Sequence, residues 1–328
     1  MNETKITREM LDQVGFEHES VSDYYKKEIT LRDGRNAYIW ENKFNGHGIL
    51  GKEFWESENY YEENYRKEFS STLNSHTKSD QHRRIYSKLN KKQYDSFSNH
   101  ITENTNYLEI GCSFGGVISN VLQHSKAKII HGIEPNREDY QYAKNEYLKA
   151  NIFNVNFIDF IANQQYDIIT SFEVLEHVAN PVQFLRKAHS LLSDNGIIHF
   201  EVPNHFDALL SLYKNLGYSN FFYHKAHIHY FTPTSLIEVF KVCGFEGSIK
   251  GLQGYPVFNQ IFWLQNSKPQ PNGEIALSDP LLNIHKDNNK EIFCELSDFF
   301  HRMELEYECI VSKYHYSDCL LYTGKKSK

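Results

Sequence analysis

From Tyr107 onward the chain alternates short, mostly apolar runs with stretches of helical periodicity, and this alternation restricts the fold more than any other feature. Tyr107–Ile110 is an apolar run that ends on Gly111, and helical spacing follows from Val117 to Leu122. Lys128–Ile133 (KIIHGI) predicts a second strand, Arg137–Ala150 a second helix, Val155–Ile158 a third strand and Tyr166–Phe172 a fourth. A helix is expected over Pro181–Leu192, with Val182, Phe184, Leu185, Ala188 and Leu191 on one face. The turn Asp194-Asn195-Gly196 then leads into a strand over Ile197–Val202. Strands apolar on both faces, separated by helices, are those of a parallel sheet covered on both sides. The fold class is α/β, doubly wound.

Later signals extend the pattern. Thr232-Pro233 reads as a helix start, an N-cap threonine with proline at the first helical position, and the helix should stop at Gly244. Residues 245–252 and Ser317–Thr323 read as strands. Between them, Glu291–Tyr314 carries Ile292, Leu296, Phe299, Phe300, Met303, Tyr307 and Ile310 at helical spacing, which is read as packing surface.

Composition excludes several classes. Aromatic residues reach 15%, too many for a largely disordered chain. With 35 basic against 42 acidic residues, the net charge of -7 lacks the footprint of a nucleic-acid binder. The five cysteines (Cys112, Cys243, Cys294, Cys309, Cys319) never form CxxC, so neither a disulfide framework nor a structural zinc site is expected. No apolar stretch approaches the ~18 residues that span a bilayer, and no signal peptide is evident. A cytoplasmic protein without a membrane span is the expectation.

The first strand runs into Gly111-Cys112-Ser113-Phe114-Gly115-Gly116, which fits GxGxxG with Ser113 in the middle place. Such a turn lets the backbone approach a ligand closely. Glu134 ends the second strand, where an acid can accept hydrogen bonds from both hydroxyls of a ribose. Glu109, two residues before Gly111, is placed to receive a positively charged amino group. Dinucleotide and adenosyl cofactors share the turn and the ribose acid, so an NAD-dependent oxidoreductase stays open beside an adenosyl-dependent transferase.

The ordered set LEIGCSFGG, GIEPN, YDIITSFEVLEHV, the DNG turn, EVPN and HIHYFTPTSL, from about Tyr107 to Phe245, resembles the class I S-adenosylmethionine-dependent methyltransferases. Within them the chain is most similar to the quinone- and sugar-methylating branch. The resemblance implies a Rossmann-like seven-stranded sheet whose last strand, here Ser317–Thr323, is antiparallel. It implies that Glu109, Gly111, Cys112, Ser113 and Gly115 hold the methionine moiety and Glu134 the ribose. Asp159 and Phe160 would flank adenine, and Phe172 and Glu173 would close the site. Ser113 stands where the family most often has glycine, and its hydroxyl is expected to cap the following helix.

A sugar hydroxyl attacks poorly until its proton leaves, and histidine titrates nearest neutral pH. His177 lies just past the fourth strand, at the sheet edge where ligands of open α/β sheets bind. His227 matches a histidine of the resembled family and His229 is an extra one; all three are candidate catalytic or acceptor contacts. Magnesium is disfavoured at Glu176, His227 and His229, because histidine is a poor magnesium ligand and no carboxylate pair is suitably spaced. No metal is expected.

The division that follows is an N-terminal extension over 1–104 covering the acceptor, a cofactor-binding core over 105–256, a helical insertion over 257–312, and the closing strand in 313–328. The expected function is methylation, directed to oxygen, of a saccharide or nucleotide-linked saccharide precursor. Quinones and other small molecules remain open as acceptors, as does a scaffold that keeps the fold without turnover. The aromatic excess falls in the two covering pieces, where an acceptor pocket or a homodimer interface would be built; Tyr60, Tyr61 and Tyr65 read first as core or helix packing and second as a surface that stacks on a nucleotide or sugar, and His47 and Trp55 read the same two ways.

Overall fold

The computed structural model describes residues 5–55, 81, 83–278 and 290–327. In chain order, helix α1 (Arg8–Gln13) precedes an antiparallel meander of β1 (Tyr24–Thr30), β2 (Asn36–Asn42) and β3 (Gly48–Leu50). Helix α2 (Ser87–Phe97) leads into β4 (Asn106–Ile110), α3 (Gly116–His124), β5 (Ile129–Ile133), α4 (Arg137–Glu146), β6 (Asn151–Phe153), β7 (Tyr166–Phe172), α5 (Pro181–Leu191) and β8 (Leu192–Pro203). Then come α6 (Leu216–Phe222), β9 (His229–Tyr230), α7 (Pro233–Val242), β10 (Phe245–Leu252), α8 (Val257–Asn266), α9 (Gly273–Ala276), α10 (Lys290–Lys313) and β11 (Cys319–Lys326).

Seven strands form one sheet in the order β10-β11-β8-β7-β4-β5-β6. Strands β4 to β8 pair in parallel, and β11 runs antiparallel to both β8 and β10. The strand order reverses beside β4, so β4 and β7 open the crevice in which such sheets bind ligands. Leu108, Ile110, Ile169, Ile198 and Phe200 are buried in one continuous core. Tyr107 and Ile168 face a second core with Phe97, Val117 and Val121. The sheet is thus covered on both faces, as its uniformly apolar strands require.

Boundaries differ where pairing, not propensity, sets them. The third strand is Asn151–Phe153, because Phe153 pairs with Ile133; the expected strand at Val155–Ile158 instead runs into a 3-10 turn over Phe157–Asp159, capped by the Asn156 side chain. The Asp194-Asn195-Gly196 turn is a bulge inside β8, as pairing jumps from Tyr166↔Leu192 to Ile168↔Ile197. The closing strand lies two to three residues later than expected. Helix α7 begins as read, with Thr232 in a capping box and Pro233 at the first position. On α10, Ile292, Phe299 and Ile310 stay about half exposed, so the stripe is only partly used in packing.

The N-terminal segment holds a second sheet that the sequence reading left uncharted. Its order is β1-β2-β3-β9, with Gly48 and Ile49 of β3 opposite Tyr230 and His229 of β9. Leu11, Phe16, Trp40 and Ile49 share a core with Leu175, Val182, Phe231 and Leu236. The segment is therefore joined to the central sheet through a common apolar interior. Tyr60, Tyr61 and Tyr65 lie outside the described residues.

Candidate active site

Beyond β4 the chain makes the turn that the glycines demand. Gly111 and Gly115 have φ of 74° and 75°, and a Cβ at Gly111 would lie 2.4 Å from Val174 Cγ2. Ser113 also has positive φ, 48°, the conformation in which glycine is usual. Its hydroxyl donates to Asp139 Oδ2 at 3.2 Å instead of capping α3, whose N-cap is Gly115. The Cys112 thiol is buried, with its amide on Ile133 O.

Glu134 holds this turn from the end of β5. One carboxylate oxygen accepts the Ser113 amide and the other the Asn136 amide, both at 2.8 Å. Its first task is thus to brace the turn. Glu109 is buried, with Tyr107 Oη 3.4 Å from it, and burial pushes its carboxyl up to about 8, the nearby Glu134 charge adding to the rise. A carboxyl so desolvated is stabilised by any cationic group brought to it. Asp159 is exposed on the 3-10 turn after β6, whereas Phe160 packs in the core against Phe153.

Phe172 ends β7 near Phe97. Glu173, at φ 56°, turns from the cofactor strand toward β8 and β11: its amide donates to Glu201 O and its carboxylate accepts from Cys319 Sγ. Glu173 thus reaches toward β8 and β11, which lie on the opposite side of β7 from β4. Burial raises Glu173 and Glu201 well above the ordinary carboxylate range, and Gln93 of α2 donates to Glu201.

The turn Leu175–His177 follows. Glu176 is buried, and neither of its carboxylate oxygens has a hydrogen-bond partner. Burial pushes it up to about 8, and the Glu201 charge contributes. His177 Nδ1 lies 2.8 Å from Ala226 O, which makes Nδ1 the donor and gives Nε2 the lone pair, 3.4 Å from Glu176 Oε1. Burial brings His177 down to about 4 and His227 well below its usual value, so both rings are neutral at pH 7. The ring centroids of His177 and His227 are 4.8 Å apart.

His229 does not join them. It is 1% exposed, with Nδ1 at 3.2 Å from His47 Nε2 and Nε2 at 3.4 Å from Ala179 O, and it stacks on His47 beside Phe16 and Phe231. With both nitrogens engaged inside this seam, it is removed from the catalytic candidates. His47 is likewise internal, and Trp55 donates to Leu50 O. What β9 contributes is position: Ile228 N donates to Glu176 O at 2.8 Å, tying the turn after β7 to the strand that the N-terminal sheet holds. Glu201, Gln93 and Cys319, which gather beside Glu173, were not singled out from the sequence because their proximity depends on the sheet order.

A family model described as a methyltransferase domain matches residues 80–248, just over half of the chain. The chain belongs to that methyltransferase family. This displaces the nicotinamide-dependent alternative, which the glycine turn and Glu134 had left open. The methyltransferase is 28% identical over 108 residues to a ubiquinone biosynthesis O-methyltransferase of Actinobacillus pleuropneumoniae, covering 30% of this chain and 45% of that one. It is 27% identical over 123 residues to N-methyltransferase 4 of Papaver somniferum, covering 33% and 35%. The methyltransferase thus spans less than half the length of these curated relatives. A crystal structure of a SAM-dependent methyltransferase from Archaeoglobus fulgidus aligns with a TM-score of 0.46 at 14% identity, over 73% of this chain and 94% of that one. No helix among the described residues is long and apolar enough to cross a membrane.

Proposed function

We propose that the protein transfers the methyl group of S-adenosylmethionine to a hydroxyl oxygen of a small molecule. The observation that carries this is the adjacency of two parts. A glycine-turn cradle braced by Glu134 touches, through Val174, the turn that presents Glu176 and His177. The cradle fits the donor on its own geometry: Gly111 leaves no room for a side chain, Glu109 is a buried carboxyl suited to the donor's amino group, and Glu134 stands at the end of the neighbouring strand, the place of a ribose-binding acid. The donor supplies an electrophilic methyl on a sulfonium. The chain supplies alignment for in-line attack and a desolvated site that receives the acceptor.

The acceptor's proton is drawn off at the neutral cluster of Glu176, His177 and His227. A phenolic acceptor is supported by the ubiquinone O-methyltransferases among the relatives; the saccharide expected from the motifs has no such support and stays in the test as the competing class. The N-terminal sheet, through β3 and β9, covers the acceptor side.

Calorimetry with S-adenosylhomocysteine should show one site per chain, and a panel of catechols, hydroxyquinols and nucleotide sugars with labelled donor should yield product from the phenols. Absence of S-adenosylhomocysteine binding, with unchanged melting in its presence, rejects the reading. His177→Ala should lower turnover by roughly 10²–10⁴-fold, the usual worth of acid–base assistance, while S-adenosylhomocysteine affinity stays nearly constant. Loss of that affinity instead would make His177 a structural residue.

A further inference from the structure

We propose that Glu173 and Glu201, with Tyr218 and Tyr255 beside them, bind a protonated amine carried by the acceptor, so that the acceptor is a hydroxyl compound with a cationic nitrogen. This names the acceptor class within the methyl transfer proposed above and rests on that reading. Glu173 follows β7 directly and holds φ of 56°, a left-handed conformation that a non-glycine residue adopts at a cost. Its carboxylate meets Glu201 near the end of β8 and Cys319 at the start of β11, and one polar atom from each of the three lies within 4.8 Å of the others.

Three observations point to an organic cation. First, the charges that bear most on Glu173 are those of Glu176 and Asp318, and on Glu201 those of Glu173 and Asp318, all carboxylates. Lys92, whose charge reaches Asp318, is ion-paired with Glu308. A positive group entering the cluster relieves this mutual repulsion. Second, Glu176 is 1% exposed with no hydrogen-bond partner on either oxygen, and its charge acts on Glu173. A buried carboxyl without a partner is costly, and a cation placed beside it offsets that cost. Third, Glu173, Cys319, Tyr218 and Tyr255 keep accessible surface although burial pushes all four up, so this surface opens into the interior of the molecule. The Tyr255 amide donates to Asp318 at 2.8 Å, and Tyr218 packs on Trp263 from α6. Both tyrosines feel Asp318 and Cys319, and tyrosine faces attract cations.

The contacts select the kind of cation. Gln93 Nε2 already faces both oxygens of Glu201, at 3.1 and 3.3 Å, and Cys319 Sγ donates to Glu173 Oε1 at 3.5 Å. Glu173 is the more accessible acid of the two and is the one an ammonium reaches, its methylenes lying on the tyrosine rings. Arg32, whose charge also reaches Tyr255, is held on Phe221 by its ring and its carbonyl. An acceptor without nitrogen leaves the desolvated acid without a donor, which costs affinity. The amine is an anchor only: its nitrogen stays protonated while the methyl group goes to the hydroxyl oxygen. Amino-substituted phenols and amino sugars share this chemistry.

The test measures binding to the full-length chain, with and without S-adenosylhomocysteine, in two matched pairs: aminoethylcatechol against propylcatechol, and glucosamine against glucose. In one pair the amine should bind ~10-fold or more tighter than its neutral partner, the usual worth of a hydrogen bond to a charged group. The pair that does so identifies the acceptor scaffold. Glu173→Gln should shrink that ratio at least ~5-fold, whereas a merely structural role would weaken both partners alike. Acetylating the amine should abolish the preference in the unsubstituted protein, which decides the matter where Glu173→Gln does not fold. Equal or undetectable binding within both pairs, a preference that survives Glu173→Gln, or an acetylated amine that binds as tightly as the free one overturns the anchor. Labelled donor separates the two readings. An amine preference without methyl product from any of these compounds keeps the anchor and removes hydroxyl methylation, and product formed equally from amine and neutral partners does the reverse.

Discussion

At the scale of single residues, the cofactor turn depends on side chains that exclude alternatives as much as on those that make contacts. Glu134 accepts two backbone amides with one carboxylate. Glu134→Gln keeps the volume but can accept on only one side, leaving one amide facing an NH₂ group. Hydrogen bonds to charged groups are worth about 1.5–3 kcal/mol, so S-adenosylhomocysteine affinity should fall at least ~10-fold by calorimetry. Gly111→Ala introduces left-handed backbone strain of about 1–2 kcal/mol and a Cβ against Val174 Cγ2. Its melting temperature should drop by several degrees, and Val174→Ala in the same chain should restore part of the loss by removing the opposing methyl.

Among the elements, the pairing of β3 with β9 carries the connection between the N-terminal sheet and the site. Ile49 is fully buried opposite His229, and the adjacent Ile228 amide holds the Glu176 carbonyl. Ile49→Ala should cost about 2–5 kcal/mol, the range for a buried isoleucine. Its kinetic signature should be a lowered kcat with S-adenosylhomocysteine affinity changed less than ~3-fold, because the cradle is braced by Glu134 and its own turn and pairs with neither β3 nor β9. Equal losses in both would place the cradle under the control of the N-terminal sheet. These strands had a local signal: Asp33-Gly34 is a hairpin dipeptide between runs rich in aromatic and β-branched residues, and Gly34 has φ 85°. Their pairing with β9 had none.

For the molecule as a whole, burial of ionisable groups sets the pH dependence of stability. Burial lowers His199 to about 3 and His205 to about 4, so below the unfolded value near 6.5 the unfolded chain takes up protons that the folded chain refuses. Their contribution is complete above about pH 6.5 and is lost as the pH falls toward 4 and 3. Glu109 and Asp207 behave oppositely, being raised to about 8 from 4.5 and 3.8, chiefly by burial. Their contribution is complete below about pH 4 and is lost as the pH rises toward 8. Between pH 6.5 and 8 only the carboxyl trend remains of these four groups. The urea midpoint of the ligand-free protein should therefore decline over that interval, and Glu109→Gln should flatten the decline. A midpoint that rises from pH 6.5 to 8 in the unsubstituted protein contradicts this.

Short-range patterns determined what was legible in the sequence. Apolar runs, the glycine turn, the Thr232-Pro233 helix start and the acid at Glu134 each act over a few residues, so the α/β class, β7, α7, β10 and the cofactor turn follow from them directly. Tertiary structure decided the rest. His47 meets His229 across 182 positions of sequence, and that contact removes His229 from the site. Glu173 turns toward Cys319 across 146 positions because β11 lies beside β8. Glu176, His177 and His227 converge because the Ile228 amide donates to Glu176 O and His177 Nδ1 donates to Ala226 O, across about 50 positions of sequence. Periodicity shows which face of an element is buried, but the partner covering that face is chosen by the packing of distant segments, and the surroundings of Glu176 and His177 are built from such contacts.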